Sequence, residues 1–247
     1  MLRYFLEVSY RGTNYSGFQI QQNANSIQSE IENALQILQK QKITLTGSSR
    51  TDAGVHALQN FFHFDLDGEI HVHFVYKMNA ILPEDIVIQK LIPVKQNAHC
   101  RFDAISREYK YFVYRHKDPF LKDRAFYFPY KLNVELMQEA AAIIKHYTDF
   151  TAFSKRNTQV KTFNCCILES KWEWEDECLV FYVKADRFLR GMVRALVATI
   201  LKIGRGKMTI TEFKNVIEEG DRSKASFAAP SQGLFLVSVN YQDNYFE

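Results

Sequence analysis

What most narrows the fold of this chain is a change of hydrophobic period, made repeatedly along its length. Arg3–Tyr10 alternates, with Tyr4, Leu6, Val8 and Tyr10 on one face, the two-residue repeat of a half-buried strand. After a loop punctuated by Gly12, Asn14 and Gly17 the repeat lengthens to the helical one. Ile27, Ile31, Leu35 and Leu38 form an apolar stripe, and Asn25, with Gln28 three residues on, is placed to cap it. The segment Lys42–Gly47, a loop Ser48–His56, an aromatic strand around Asn60–Asp65 and a strand at Asp85–Leu91 follow. The polar stretch Lys95–His99 after Pro93 suggests a division into residues 1–98 and 99–247.

The second half repeats the interleaving. Glu108–Arg115 reads as a strand with Tyr109, Tyr111 and Val113 on one face, and Pro119 and Pro129 bracket a connection to a helix from Asn133 to Tyr147. Ile167–Trp174 and Cys178–Lys184 flank the acidic turn Asp176–Glu177 as a hairpin would. A long helix is expected from Phe188 to Ile203, stopping at Gly204. Thr209 and Glu212 are spaced as a capping box for a short helix that Gly220 ends. Leu234–Tyr241 supplies a closing strand. Strands and helices joined this way are the pattern of an α+β protein, here in two halves facing each other across a cleft.

Composition excludes several classes. Of 247 residues, 47% are apolar and 24% charged, which a disordered chain does not show. With 10 Gly and 5 Pro there is no material for long linkers. No stretch approaches the roughly 18 apolar residues of a membrane-spanning helix, and the opening MLRYFLEVSYRGTNYSG lacks the apolar core and cleavage site of a signal peptide. Cys100, Cys165, Cys166 and Cys178 form no C-x-x-C and no regular spacing. A cytoplasmic protein without membrane attachment or disulfides is expected.

The most informative run is Gly47-Ser48-Ser49-Arg50-Thr51-Asp52-Ala53-Gly54-Val55-His56-Ala57. Small residues let a backbone approach a ligand, and a cation beside a carboxylate can carry chemistry that packing does not need. The same residues would also make an ordinary turn in which Asp52 caps a helix and Arg50 is solvated. On the expected long helix, Arg187, Arg190 and Arg194 recur at helical spacing and would share a face, with Leu189, Val193, Leu196 and Ile200 toward the core. Arg187 to Lys207 holds six basic residues and no acid, which makes either a solvated face or a wall that tracks phosphates. Arg101–Tyr111 interleaves cations with aromatics, as suits RNA backbone contact and base stacking, although alternating tyrosines also serve a strand's core face. His56, His63, His71 and His73 lie close in sequence, but nothing beyond an H-x-H pair is spaced for zinc, so no metal is expected. A triad of Ser49, Asp52 and His56 lacks the G-x-S-x-G elbow.

Taken in order, these segments resemble the TruA family of tRNA pseudouridine synthases over nearly the whole chain. Tyr10-Arg11-Gly12-Thr13-Asn14-Tyr15-Ser16-Gly17-Phe18-Gln19 matches the family's Y-x-G-x-x-Y-x-G-[FW]-Q, and Gly47–Ala57 matches its G-[AS]-[GS]-R-T-D-A-G-V-H-A. Arg101-Phe102-x-Ala104 with Arg107-x-Tyr109-x-Tyr111 matches R-F-x-A…R-x-Y-x-Y. Phe188-Leu189-x-x-Met192-Val193-Arg194 and Ala229-Pro230-x-x-Gly233-Leu234 match two later motifs. One departure stands out: after His56-Ala57-Leu58 the family commonly has Gly-Gln-Val, and this chain has Gln59-Asn60-Phe61.

The resemblance implies a pseudouridine synthase fold, two RRM-like (ferredoxin-like) halves whose antiparallel sheets meet across a central RNA-binding cleft. It implies isomerisation of uridine to pseudouridine at nucleotides 38, 39 and 40 in the anticodon stem-loop of tRNA. Nothing is oxidised or transferred in, so no cofactor is required. A carboxylate is required, either to trap C1′ or to take a proton from C2′, and Asp52 matches the family's catalytic aspartate. By the same resemblance Tyr109 stacks on the flipped base, Arg50 helps displace the target nucleotide, and Arg194 supplies the cation that keeps the aspartate ionised. Leu234 lines the pocket, and Arg190 joins the RNA-binding set. Family members are homodimers, which would let a chain of net charge +3 build a basic groove for tRNA from two copies. Two other classes share some of these features: a non-catalytic RNA-binding protein, and an Asp-dependent nucleoside hydrolase that would release free base.

Overall fold

The computed structural model describes residues 1–68, 70–156 and 160–246. In chain order the elements are β1 (Leu2–Tyr10), α1 (Ile27–Gln39), β2 (Thr46–Gly47), β3 (His56–Leu66), α2 (Phe74–Ile81), β4 (Ile86–Val94), β5 (Ser106–Tyr114), β6 (Phe126–Tyr127) and α3 (Val134–Ile143). Then come β7 (Ile167–Glu175), β8 (Cys178–Ala185), α4 (Met192–Gly204), α5 (Ile210–Glu219) and β9 (Leu234–Asn240). The chain forms two compact units, Met1–Ile105 with Leu236–Glu247, and Ser106–Phe235. Each combines an antiparallel sheet with helices, the α+β organisation expected. The stretch Lys95–His99 lies inside the first unit, where its own Ala98 and the following Cys100 are buried, and Leu236 brings the chain back to that unit. Among the described residues no helix is long and apolar enough to cross a membrane.

In the first unit the strand order is β4-β1-β3-β9. β1 is antiparallel to both its neighbours, so that Leu6 lies opposite Phe62 on one side and Leu91 on the other. Tyr4, Leu6, Val8 and Tyr10 are buried as their alternation requires. Phe5, on the opposite face, is fully buried too, because Phe61, Tyr241, Tyr245 and Phe246 place rings within about 6 Å of it. β3 begins at His56, four residues before the expected start, and β4 runs through Pro93, which an edge strand accommodates because no neighbour needs its missing N–H.

The cap of α1 is Ser26 rather than Asn25. The Ser26 hydroxyl accepts the Ser29 N–H, and Ser29 returns the bond to the Ser26 N–H, while the Asn25 carbonyl is taken by the Ser16 N–H. α2 was not legible in the sequence. It has eight residues and buries only Phe74 and Met78, too short a stripe to establish a period.

In the second unit the order is β5-β8-β7, antiparallel throughout, with β6 parallel to β5. The β7–β8 hairpin turns at Asp176, at φ +50°. Asn133 caps α3, and Thr209 with Glu212 makes the expected capping box of α5, closed by Gly220 at φ +65°. α4 is buried along nearly its whole length; a methyl group on Gly204 would fall 2.5 Å from the Met137 sulfur of α3.

α4 starts at Met192, four residues later than expected. Gly191, at φ +75°, ends a turn closed by the Met192 N–H on the Leu189 carbonyl. Arg187 and Arg190 therefore precede the helix, and they do not share a helical face with Arg194.

Phe18 and Phe62 stack in the first unit's core, ring centroids 4.5 Å apart and planes within 8°, both essentially without exposure. Phe62→Ala is expected to cost about 3–5 kcal/mol, read as a lower denaturation midpoint in urea at unchanged m-value.

Candidate functional site

The Gly47–Ala57 run and the Tyr10–Gln19 run, separate in sequence, form one structure in the first unit. β2 pairs with β3 through Thr46 opposite His63 and Gly47 opposite Phe62, and the Ser48 N–H donates to the Phe61 carbonyl at 2.8 Å. Beyond Ser48 the chain leaves the sheet and is held by side chains. The Asn60 carboxamide accepts the Ser49 N–H at 3.3 Å and donates to the Ser49 carbonyl at 2.8 Å and to the Tyr10 phenol at 3.2 Å. Tyr10 in turn shares a 2.8 Å hydrogen bond with the Thr51 hydroxyl. Burial pushes the Tyr10 phenol up to about 12, so it stays protonated within this network.

The other side of the loop is fastened by main-chain N–H groups of both segments, two on carbonyls and one on the His56 ring. The Phe18 N–H donates to the Thr51 carbonyl at 3.1 Å, the Gly54 N–H to the Tyr15 carbonyl at 3.3 Å, and the Gly12 N–H to His56 Nδ1 at 3.2 Å. The approach is close enough to demand glycine: a methyl group on Gly12 would lie 2.0 Å from the Val55 carbonyl oxygen. Asp52 opens a turn in which its carbonyl accepts the Val55 N–H at 3.2 Å, with Gly54 at φ +75°. The chain then enters β3, so Asp52 does not cap a helix. Its side chain is half-buried, and Arg50 is exposed. The loop thus displays a cation and a carboxylate two residues apart on a backbone anchored at residues 48, 49, 51 and 54.

The second unit carries the other expected site residues. Tyr109 lies on β5 opposite Val183, buried, with the edge of Phe188 at 5.0 Å. Arg194, in the first turn of α4, is half-buried, and its Nε–H donates to the Ala229 carbonyl at 2.7 Å. The Tyr111 hydroxyl donates to the Pro230 carbonyl at 2.7 Å, and a methyl group on Gly233 would stand 2.8 Å from the Tyr111 ring. Arg194 and Tyr111 together seat the segment Ala229–Gly233, from which buried Leu234 continues into β9. Arg190 is exposed in the turn before α4, its carbonyl accepting the Lys155 N–H at 2.9 Å. Arg205, at the far end of α4, lies 3.6 Å from the centre of the Tyr130 ring. Sequence reasoning named Tyr10 and Tyr111 as letters of family motifs and Asn60 as a departure from one, but passed over the supporting roles of all three.

The histidines group differently from their order in sequence. His63, His99 and Cys100 have ligand-type atoms within 4.8 Å of one another. His63 Nδ1 is 3.2 Å from the Cys100 sulfur and accepts the Cys100 N–H; His99 Nδ1 accepts the N–H groups of Arg101 and Phe102; the Cys100 thiol donates to the Thr46 carbonyl. The Nδ1 lone pairs of both rings are thus occupied by main-chain donors, and the cluster ties residues 99–102 to β2 and β3.

The profile of the tRNA pseudouridine synthase family matches residues 7–103 and 145–242. The chain is 47% identical to tRNA pseudouridine synthase A of Parabacteroides distasonis over all of its own length and 98% of the relative's. It is 44% identical to the protein of that name in Porphyromonas gingivalis over the full length of both. The tRNA pseudouridine synthase A of Staphylococcus aureus is 35% identical over 98% of this chain and 92% of its own.

The His63 cluster makes stability depend on pH. Burial, reinforced by His99 and Arg3 and opposed by Asp65 and Asp103, holds His63 down to about 4 from the ordinary 6.5. Between those values the unfolded chain binds a proton that the folded protein refuses, so stability is full above pH 6.5 and is lost as the pH falls toward 4. Unfolding free energies measured across this range should lose part of their slope in His63→Gln, with a residue left by His99, which burial also holds low.

Proposed function

This chain belongs to the tRNA pseudouridine synthase family, and on that premise we propose that it isomerises uridines 38, 39 and 40 in the anticodon stem-loop of tRNA, with Asp52 as the reacting carboxylate. The observation that carries the reading is the anchored loop that presents Arg50 and Asp52 on a backbone tied down on both sides. Reaction geometry has to be held to a fraction of an ångström, and a loop clamped by buried hydrogen bonds supplies that without apolar side chains.

In the reaction the C1′–N1 glycosidic bond breaks, the uracil turns, a C1′–C5 bond forms, the hydrogen of C5 leaves as a proton and the freed N1 takes one up, so that the product is an isomer of the substrate. Asp52 either attacks C1′, forming an ester that C5 then displaces, or removes a proton from C2′ that returns to C2′ as the C1′–C5 bond forms. The target base has to leave its stack, at a cost of a few kcal/mol. Arg50 helps displace the nucleotide, Tyr109 stacks on the uracil, and Leu234 packs against it. Arg190 and Arg194 bring positive charge to the polyanion. No group enters or leaves the RNA, so the chemistry calls for no cofactor. The protein works as a homodimer on cytoplasmic tRNA, two copies supplying the positive surface that a net charge of +3 leaves thin on one.

Release of tritium from C5-labelled uracil in tRNA transcripts tests the reading. Wild type should release label from transcripts with uridine at 38, 39 or 40, and Asp52→Ala should release none while still binding tRNA. Tight binding without release by the wild type would leave a non-catalytic RNA-binding protein, and appearance of free uracil would leave a hydrolase. A monomeric mass in solution at micromolar concentration would overturn the homodimer.

A further inference from the structure

The ladder between β2 and β3 holds a constant register. Thr46 faces His63, Gly47 faces Phe62, and the Ser48 N–H reaches the Phe61 carbonyl. One step further, Ser49 falls to Asn60. There the main-chain ladder gives way to a side chain: the Asn60 carboxamide presents its oxygen to the Ser49 N–H at 3.3 Å and its nitrogen to the Ser49 carbonyl at 2.8 Å. That is the acceptor and donor a peptide group would have offered. Putting a side chain in place of the peptide lets the loop part from the sheet without orphaning the polar groups of Ser49.

The carboxamide is used to capacity. Its second acceptor site takes the Phe61 N–H at 2.9 Å, and its second donor reaches the Tyr10 phenol at 3.2 Å. Two donors and two acceptor sites are all a primary amide has. Asn60 has no exposure, so water does not stand in for any of them. The Ser49 hydroxyl has no partner among the described residues, so the tether on Ser49 runs through its main chain. Tyr10 carries the link onward to Thr51, the residue before Asp52.

We propose that Asn60 is a positioning residue for the isomerisation: its carboxamide determines where residues 49–51 leave the sheet and hence where the Asp52 carboxylate stands. The inference rests on the reading of Asp52 as the reacting carboxylate. Asn60 is buried and does not touch the RNA, so its loss acts on turnover and leaves binding alone. The position is also where this chain departs from the family's common Gly-Gln-Val, so the tether here is one methylene shorter than a glutamine would make it.

The test compares Asn60→Leu, which removes all four hydrogen bonds at similar volume, Asn60→Asp, which keeps the acceptors and removes both donors, and Asn60→Gln, which restores the amide. The readouts are kcat and KM for tritium release, tRNA affinity and thermal unfolding, with Asp52→Ala in the same series. Leu and Asp variants should lose about 10²-fold in kcat at unchanged KM and tRNA affinity, and Gln should recover part of the loss. A folded Leu or Asp variant with wild-type kcat, a loss confined to KM, or a Gln variant as slow as Leu would overturn the proposal. Should Asn60→Leu fail to fold, Asn60→Asp decides by the same criterion. An active Asp52→Ala would sink the reading of Asp52 itself, whereas an inactive Asp52→Ala beside fully active Asn60 variants would sink only the role of Asn60.

Discussion

A loop made of Ser, Arg, Thr, Asp, Ala and Gly has almost no apolar surface to bury, so hydrophobic packing cannot hold it in one place. In this protein hydrogen bonds from a buried carboxamide and a buried phenol do so, with main-chain bonds from the Tyr10–Gln19 segment closing the other side. Such bonds are directional and, away from water, costly to leave unmade. They therefore fix position where a packed side chain would tolerate sliding. The glycines belong to the same constraint: Gly12 and Gly47 admit no side chain, because the Val55 carbonyl and the Phe18 ring occupy the space.

The second unit solves the same problem by different means. Its segment Ala229–Gly233 is seated by Arg194 and Tyr111, each donating to a carbonyl of the segment. Arg194 can do this because Gly191 starts α4 late, leaving Arg194 in the first helical turn while Arg187 and Arg190 stay on the approach to it. The basic run of the sequence is thereby divided among three settings. Arg190 stands in an exposed turn, Arg194 is committed to a carbonyl, and Arg205 is stacked on Tyr130 at the other end of the helix. A residue that seats its own neighbourhood has less freedom than one solvated on a helix face, which is the condition for holding a charge at a defined point.

Much of the architecture was legible from period and punctuation. The strands at β1, β5, β7 and β8 and the helices α1, α3 and α5 fall where alternation, capping residues and terminal glycines place them. The misplacements have local causes. Ser26 outcompetes Asn25 as a cap because Ser29 can return its bond, α2 is too short to show a period, and Gly191 takes a positive φ that helical spacing of the flanking arginines conceals. The closing strand was legible as a strand, but its return to the first unit at Leu236 was not, since strand order is a property of pairing and not of local pattern.

The amino-acid sequence alone determined the segments, their faces and the family, because period, capping and motif are written over short stretches and need no knowledge of distant contacts. It singled out Asp52, Arg50, Tyr109 and Arg194 by resemblance. Tertiary structure alone decided what holds them: that Asn60 continues a ladder begun by Thr46 and Gly47, that Tyr10 reaches Thr51 across 41 positions, and that Tyr111 reaches Pro230 across 119. Hydrogen bonds between residues so far apart are paid for by the burial of whole sheets, which brings their partners together without leaving any periodic trace along the chain.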